Sequence, residues 1–96
     1  MKLVRDNIPE IAPHRKFREA QDWELSQLVS DKILEESQEV KEARNTEELT
    51  EELADLYQVM LKLAEINGIH WDDVLTAAKV KNAEKGGFER NTVLCD

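Results

Sequence analysis

The chain has 96 residues, of which 41% are hydrophobic and 35% are charged, and its formal net charge is −8 at pH 7. These values exclude a disordered polymer and predict a single globular domain over residues 1–96, while the acidity argues against a nucleic-acid polymer as partner. No apolar run approaches the roughly 20 residues of a membrane span, so we expect no membrane partner.

The first thirteen residues contain Pro9 and Pro13 and too few periodic apolar side chains for a long helix. Pro9 suits the first turn of a short helix, where its missing N–H group is not needed. We therefore expect an N-terminal arm that packs on the body of the domain. Arg5 can pair locally with Asp6 or lie near a functional site, and the sequence leaves both possibilities open.

A first long helix is predicted over residues 22–43, with Asp22 as a favourable N-cap. Its apolar residues keep helical spacing and define one packed face, formed by Leu25, Leu28, Val29, Ile33 and Val40. Glu36 and Glu39 fall on this face, where apolar side chains are expected, and Glu35 lies at its edge. Two carboxylates therefore point towards the core.

A second helix is predicted to begin at Thr46, after the N-cap Asn45, and to end at residues 67–68. Its apolar residues cover well over half of its circumference: Leu49, Leu53, Leu56, Tyr57, Val59, Met60, Leu63, Ala64 and Ile66. Glu52 projects among these side chains, and Asp55 lies at their margin. Because a three-helix monomer could not cover so wide a face, we expect a homodimer or higher homo-oligomer.

The short connection between these helices makes them antiparallel and brings the two acidic stretches to the same level. Ionised groups are seldom buried unless they are paired or bound to a metal. Oxygen ligands without histidine or cysteine select Mg²⁺, Mn²⁺ or Ca²⁺. The acidic stretches are helical and lack the glycine of a Ca²⁺-binding loop, which leaves Mg²⁺, with Mn²⁺ as a possible substitute. The sequence therefore predicts that such a cation lies between the helices, held by Glu36, Glu39, Glu52 and Asp55.

A third helix is predicted after His70, with Asp72 and Asp73 in its first turn; it runs to about Lys85 and ends at two glycines. Lys81 and Lys85 share a face with three small apolar residues, so they can bind phosphate oxygens beside the acidic cluster. Arg90, in a partly apolar tail that we expect to dock on the bundle or on a neighbouring subunit, is a further phosphate candidate. Together the elements predict an all-α antiparallel helical bundle with two central helices, a third helix and a packed arm.

Aromatic and amide side chains provide candidates for contacts with a base or sugar. Trp23 could stack on a base and Asn82 could hydrogen-bond a base or sugar, and the weaker stacking candidates are Trp71, Tyr57 and Phe88. Cys95 is the only cysteine, so no intrachain disulfide can form. With no signal-peptide apolar region either, we expect a cytoplasmic protein.

A metal, inward carboxylates and nearby lysines suit metal-assisted phosphoryl chemistry. In such a site a glutamate that is not fully committed to the metal can orient or deprotonate the attacking water.

Glu35-Glu36-x-x-Glu39, followed after twelve residues by Glu52-x-x-Asp55, resembles the signature of the all-α nucleoside triphosphate pyrophosphohydrolases. This superfamily contains MazG, the dimeric dUTPases and phosphoribosyl-ATP pyrophosphohydrolase. The flanking segments LVRDNIP and KGGFE resemble a single-domain MazG-like subgroup, so the resemblance extends over nearly the whole chain.

The resemblance implies a set of roles for the candidate residues. The four inward carboxylates would be the Mg²⁺ ligands, and Glu35 would assist as a ligand or as a water-orienting base. Glu35 and Glu39 are therefore the candidates for the catalytic role. Lys81 and Lys85 match a downstream basic pair, although the second position is often arginine in the family. The implied reaction is hydrolysis between the α and β phosphates of a nucleoside triphosphate, which yields a monophosphate and pyrophosphate.

Three functions remain open at this stage. By analogy with the family, the enzyme could clear abnormal nucleotides. It could instead hydrolyse phosphoribosyl-ATP in histidine synthesis. In a different class, the chain could be a non-catalytic helical module that binds a metal, a nucleotide or a protein partner.

Overall fold

The computed structural model describes all residues, 1–96, and contains helices but no strands. The helices are α1 (Ile8–Ile11), α2 (Asp22–Glu42), α3 (Thr46–Ile66) and α4 (Trp71–Lys85). α2 packs along α3, while α4 contacts only α3. The predicted all-α bundle is thus confirmed. None of the helices combines the length and apolarity that crossing a membrane requires.

The beginning of α2 is fixed by the carboxylate of Glu24. It accepts a hydrogen bond from the backbone N–H of Gln21 at 2.8 Å and two from the Arg18 guanidinium at 2.7 and 2.9 Å. The Arg18 guanidinium, together with the N–H of Gln21, lowers the pKa of Glu24 to about 2. Gln21 therefore precedes the helix as its N-cap, and the prediction that Asp22 is the N-cap is wrong by one residue.

The connection between α2 and α3 is a tight turn of three residues. The side chain of Asn45 accepts a hydrogen bond from the N–H of Glu48 at 2.8 Å, as the capping pattern predicts. The carboxylate of Glu48 bonds the backbone N–H and the guanidinium of Arg44, each at 2.9 Å, rather than the N–H of Asn45. So short a turn leaves α2 and α3 antiparallel neighbours.

The buried core of the single chain is small. Val29 is fully buried and Ala64 nearly so, and the other two buried residues are Glu24 and Glu36. The accessible surface is 8608 Å², whereas a compact monomer of this mass exposes about 5,700 Å². The radius of gyration, 16.7 Å, likewise exceeds the value of about 12.5 Å that suits a compact chain of this length.

The N-terminal arm packs on the body, as predicted. Pro9 lies in the first turn of α1, and Leu3 and Val4 are half-buried. Two ion pairs attach the arm to the helices: Lys2 contacts Glu35 and Arg5 contacts Asp55. The arm is therefore held beside the acidic stretches of α2 and α3.

α4 is attached only near its beginning. The ring of Trp71 meets the ring of Tyr57 edge to face, with centroids 5.8 Å apart. Every residue from 75 to 96 is exposed, so the C-terminal part of α4 and the tail do not dock on the bundle of this chain. The predicted inner face of α4 consists of Val74 and two alanines, which offer little apolar area for packing.

Candidate functional site

Four carboxylates converge between α2 and α3. One oxygen from each lies within 4.8 Å of the others, and the residues are Glu36, Glu39, Glu52 and Asp55. Each helix contributes two acids spaced three residues apart, which places both on one helix face. The tight turn then sets the two faces opposite each other, so the arrangement follows directly from the spacing in the sequence.

Burial sets Glu36 apart from the other acids. Its residue is 5% exposed, and one carboxylate oxygen lies 3.4 Å from the ammonium of Lys32. Burial, with a further contribution from neighbouring Glu39, raises the pKa of Glu36. Oε2 of Glu36 and Oε2 of Glu52 are both buried without a hydrogen-bond partner. Two acceptors in the cluster therefore lack the donor or cation that buried oxygens need.

Three basic side chains border the cluster. Lys2 lies 2.8 Å from Glu35, Lys32 lies 3.3 Å from the other oxygen of Glu35, and Arg5 pairs with Asp55. The hydrogen bond from Lys2 is the main reason why the pKa of Glu35 is lowered. With Glu35 included, five carboxylates face three cations, so two negative charges remain without a partner.

This donor set fits a hard divalent cation. All candidate ligands are carboxylate oxygens, and two of these oxygens are buried and unpartnered. The unbalanced charge of the cluster equals that of one such cation. No histidine or cysteine belongs to the group, so it does not suit a zinc site.

The remaining predicted site residues are not part of the cluster. Lys81, Asn82 and Lys85 on α4, and Arg90 after it, are exposed, and none forms an ion pair or side-chain hydrogen bond. Their proposed contacts with substrate stay predictions. Trp23 is 83% exposed and precedes Glu36 along α2 by about 20 Å.

The other candidates for stacking on a base differ in whether they contact another aromatic side chain or are exposed to solvent. Trp71 and Tyr57 contact each other, whereas Phe88 is 95% exposed.

The arm contributes two residues that the sequence did not assign to the site. Arg5 makes its ion pair with Asp55, not with Asp6, so the structure answers one question that the sequence left open. Lys2 had no predicted role. These contacts join residues 33 and 50 positions apart, and helical periodicity carries no signal for them.

Comparison with protein families gives one match that covers most of the chain. The model described as phosphoribosyl-ATP pyrophosphohydrolase matches residues 1–82, which include the arm and all four clustered carboxylates. No match is found among curated proteins or among solved structures. The chain therefore belongs to the phosphoribosyl-ATP pyrophosphohydrolase family, within the MazG-like all-α superfamily, and is a pyrophosphohydrolase, a hydrolase acting on acid anhydrides.

Proposed function

We propose that this enzyme hydrolyses the bond between the α and β phosphates of a nucleotide, with Mg²⁺ as cofactor, and releases pyrophosphate. The observation that carries the proposal is the convergence of four carboxylates within 4.8 Å, two of them with buried, unpartnered oxygens. The family supports a nucleotide substrate. Because the family is enzymatic, it disfavours the alternative of a non-catalytic module.

In this proposal Glu36, Glu39, Glu52 and Asp55 hold the cation, and Mn²⁺ can substitute for Mg²⁺. When bound, the cation would screen the phosphates, activate a water and stabilise charge that develops on the leaving oxygen. The chain itself fixes the ligands on two rigid helices, so little reorganisation is needed when substrate arrives.

Glu35 is proposed to orient the attacking water. It lies next to the ligands, and Lys2 and Lys32 hold its two oxygens. Its lowered pKa keeps it ionised near neutral pH, so it can accept a hydrogen bond from water. Glu39 is the most exposed member of the cluster and is proposed to combine metal binding with contact to the reacting water.

Two substrate classes fit the proposal. The description of the family favours phosphoribosyl-ATP, as in histidine synthesis. The flanking segments LVRDNIP and KGGFE, which resemble the MazG-like subgroup, fit nucleoside triphosphates, including abnormal ones whose removal would be a house-cleaning role. Both substrate classes carry a triphosphate group, and cleavage of either leaves a monophosphate and releases pyrophosphate. Contacts with the base and sugar therefore determine which class the enzyme accepts.

A substrate panel tests both the reaction and its specificity. Purified protein is incubated with Mg²⁺ and common triphosphates, modified triphosphates or phosphoribosyl-ATP, and pyrophosphate and orthophosphate are measured separately. We expect pyrophosphate from at least one substrate, and a loss of at least about 100-fold in Glu39→Gln and Glu52→Gln, since metal ligands are removed. Glu51→Gln, an exposed neighbour outside the cluster, is the matched control. Orthophosphate release, or full activity in both ligand variants, would contradict the proposal.

We also propose that a second copy of the chain covers the exposed side of α3. Leu49, Leu53, Tyr57 and Met60 are 37–49% exposed and lie within about 80° of the helix surface. The surface in excess of a compact monomer is about 3,000 Å². Two chains together would have about 6,000 Å² of such surface. Obligate homodimers bury about 2,000–5,000 Å² in total, so this surface is large enough to support a homodimer or higher oligomer.

A further inference from the structure

The N-terminal arm places a guanidinium against one of the proposed metal ligands. Arg5 donates to Oδ1 of Asp55, although the two residues are 50 positions apart. The backbone of Arg5 is fixed, because its carbonyl accepts a hydrogen bond from Ile8 at 3.1 Å at the start of α1. Its side chain is 59% exposed. The backbone of Arg5 is therefore held in place, while its charged guanidinium remains accessible to solvent.

The other two cations at the cluster differ from Arg5. Lys32 has a side chain only 14% exposed and contacts both Glu35 and Glu36, so it is enclosed between acids of its own helix. Lys2 is 62% exposed but binds Glu35, which is outside the four ligands. Arg5 alone pairs with a member of the ligand set from the solvent side.

A divalent cation at the cluster would weaken the Arg5–Asp55 pair. Asp55 would then share its negative charge with the metal, and two positive groups would lie close together. Arginine stays protonated at all accessible pH values, so its charge needs another acceptor. Phosphate oxygens match the planar guanidinium and accept two parallel hydrogen bonds from it.

We infer that Arg5 is a phosphate-binding residue that exchanges Asp55 for a phosphate group of the substrate when the metal is bound. The inference rests on the proposed metal site and deepens it, because it names the cation that binds the substrate at the arm side of the cluster. Lys81, Lys85 and Arg90 provide no such contact within a single chain, since they are exposed and form no ion pair with an acid of the cluster.

Two binding measurements test the exchange without requiring turnover. The first is Mn²⁺ binding in the absence of nucleotide, followed by calorimetry. Arg5→Ala should bind Mn²⁺ about threefold or more tightly, since a competing charge has been removed. The second is binding of pyrophosphate to the Mn²⁺-loaded protein, which Arg5→Ala should weaken about tenfold.

Arg5→Lys keeps the charge but loses the paired donors, so its pyrophosphate affinity should lie between those of wild type and Arg5→Ala. Arg15→Ala is the matched control, because Arg15 is exposed and its side chain has no partner. The exposed Arg5–Asp55 pair contributes little to stability, and Arg5→Lys serves as the test variant should Arg5→Ala fold poorly.

Weaker Mn²⁺ binding in Arg5→Ala would overturn the inference, since Arg5 would then only position Asp55. Unchanged pyrophosphate affinity, or a wild type that binds no Mn²⁺, would overturn it as well. The proposed function fails separately: a wild type that binds Mn²⁺ and pyrophosphate but hydrolyses nothing on the panel would refute the activity and leave the role of Arg5 intact. An active Arg5→Ala variant with unchanged KM would refute only the proposed role of Arg5 in phosphate binding.

Discussion

The carboxylate of Glu36, a proposed metal ligand, lowers the stability of the metal-free fold. It is buried on the packed side of α2, Oε2 has no partner, and burial raises its pKa. An apolar or neutral residue at this position would suit the fold better, because a buried unpaired acceptor keeps its desolvation penalty. A divalent cation would remove that penalty, so the strain at Glu36 is a property of the metal-free protein.

Replacing Glu36 by glutamine should therefore stabilise the metal-free protein. We expect a gain of about 1 kcal/mol, which corresponds to a rise in Tm of about 4–8 °C for a domain of this size. The same variant should lose the further rise that Mg²⁺ or Mn²⁺ produces in wild type. Thermal melts at one protein concentration, with chelator or with metal, measure both effects.

Glu51→Gln is the control for this comparison, because Glu51 is exposed on α3 and outside the cluster. It should leave Tm unchanged under both conditions. A lower Tm of Glu36→Gln in chelator would show that Glu36 is already well compensated, for example by Lys32.

For single residues, helical periodicity in the sequence was sufficient to predict the clustered acids. It was insufficient to predict the basic residues of the arm that pair with acidic side chains there. Glu36, Glu39 and Glu52 were predicted because charged residues occupied an apolar stripe, and Asp55 was predicted at its margin. Lys2 and Arg5 could not be placed in the same way. Their position depends on the path of the arm, which has no repeating pattern from which a contact could be read.

Among the elements, α2 depends on a contact made just before it begins. Glu24 binds both the N–H of Gln21 and the guanidinium of Arg18, and its pKa falls from the ordinary 4.5 to about 2. Since the pKa in the folded state is the lower one, the ion pair stabilises the fold fully above pH 4.5. This contribution declines as the pH falls towards 2.

Arg18→Gln should consequently have a pH-dependent effect. Its Tm should be lower than that of wild type at pH 7, and the difference should shrink as the pH is lowered from 4.5 towards 2, where Glu24 becomes protonated in both proteins. Melting curves across this interval measure the gap. Arg15→Gln, which removes an unpaired exposed arginine, should show no such trend, and a gap for Arg18→Gln that persists at low pH would refute the explanation.

The helices themselves differed in how well the sequence predicted their placement. The bounds of α3 and α4 and the tight turn followed from Asn45, Gly68 and Gly86, which mark helix ends. The position of α4 did not follow. Its inner face has too little apolar surface to select one packing partner, so the inward direction expected for Lys81 and Lys85 is absent within one chain.

For the whole molecule, the surface area is the informative quantity. With an exposed area of 8608 Å² and one fully buried side chain, the single chain leaves fifteen large hydrophobic side chains exposed to water. The excess lies partly on α3, whose apolar arc is wider than α2 covers. The sequence predicted this excess from the circumference of the helix, but it gave no information on which residues meet across the interface.

A charge placed on the exposed stripe of α3 should dissociate the assembly. We expect light scattering of wild type to give a mass of at least twice 11.1 kDa, and Met60→Lys to shift the mass towards 11.1 kDa. Gln58→Lys adds the same charge on the opposite side of α3 and should leave the mass unchanged. A wild type of 11.1 kDa would disprove the oligomer.

The three-residue turn between α2 and α3 also has a consequence for the order of folding. All four acids lie between residues 36 and 55, so closing the loop that joins them costs little chain entropy. Contacts of Lys2 and Arg5 span 33 and 50 residues and are expected to form later. During that interval the four acids of the helical hairpin lie close together before the basic residues of the arm pair with them. A divalent ion that binds the hairpin at this point would accelerate folding, in addition to slowing the unfolding of the folded protein.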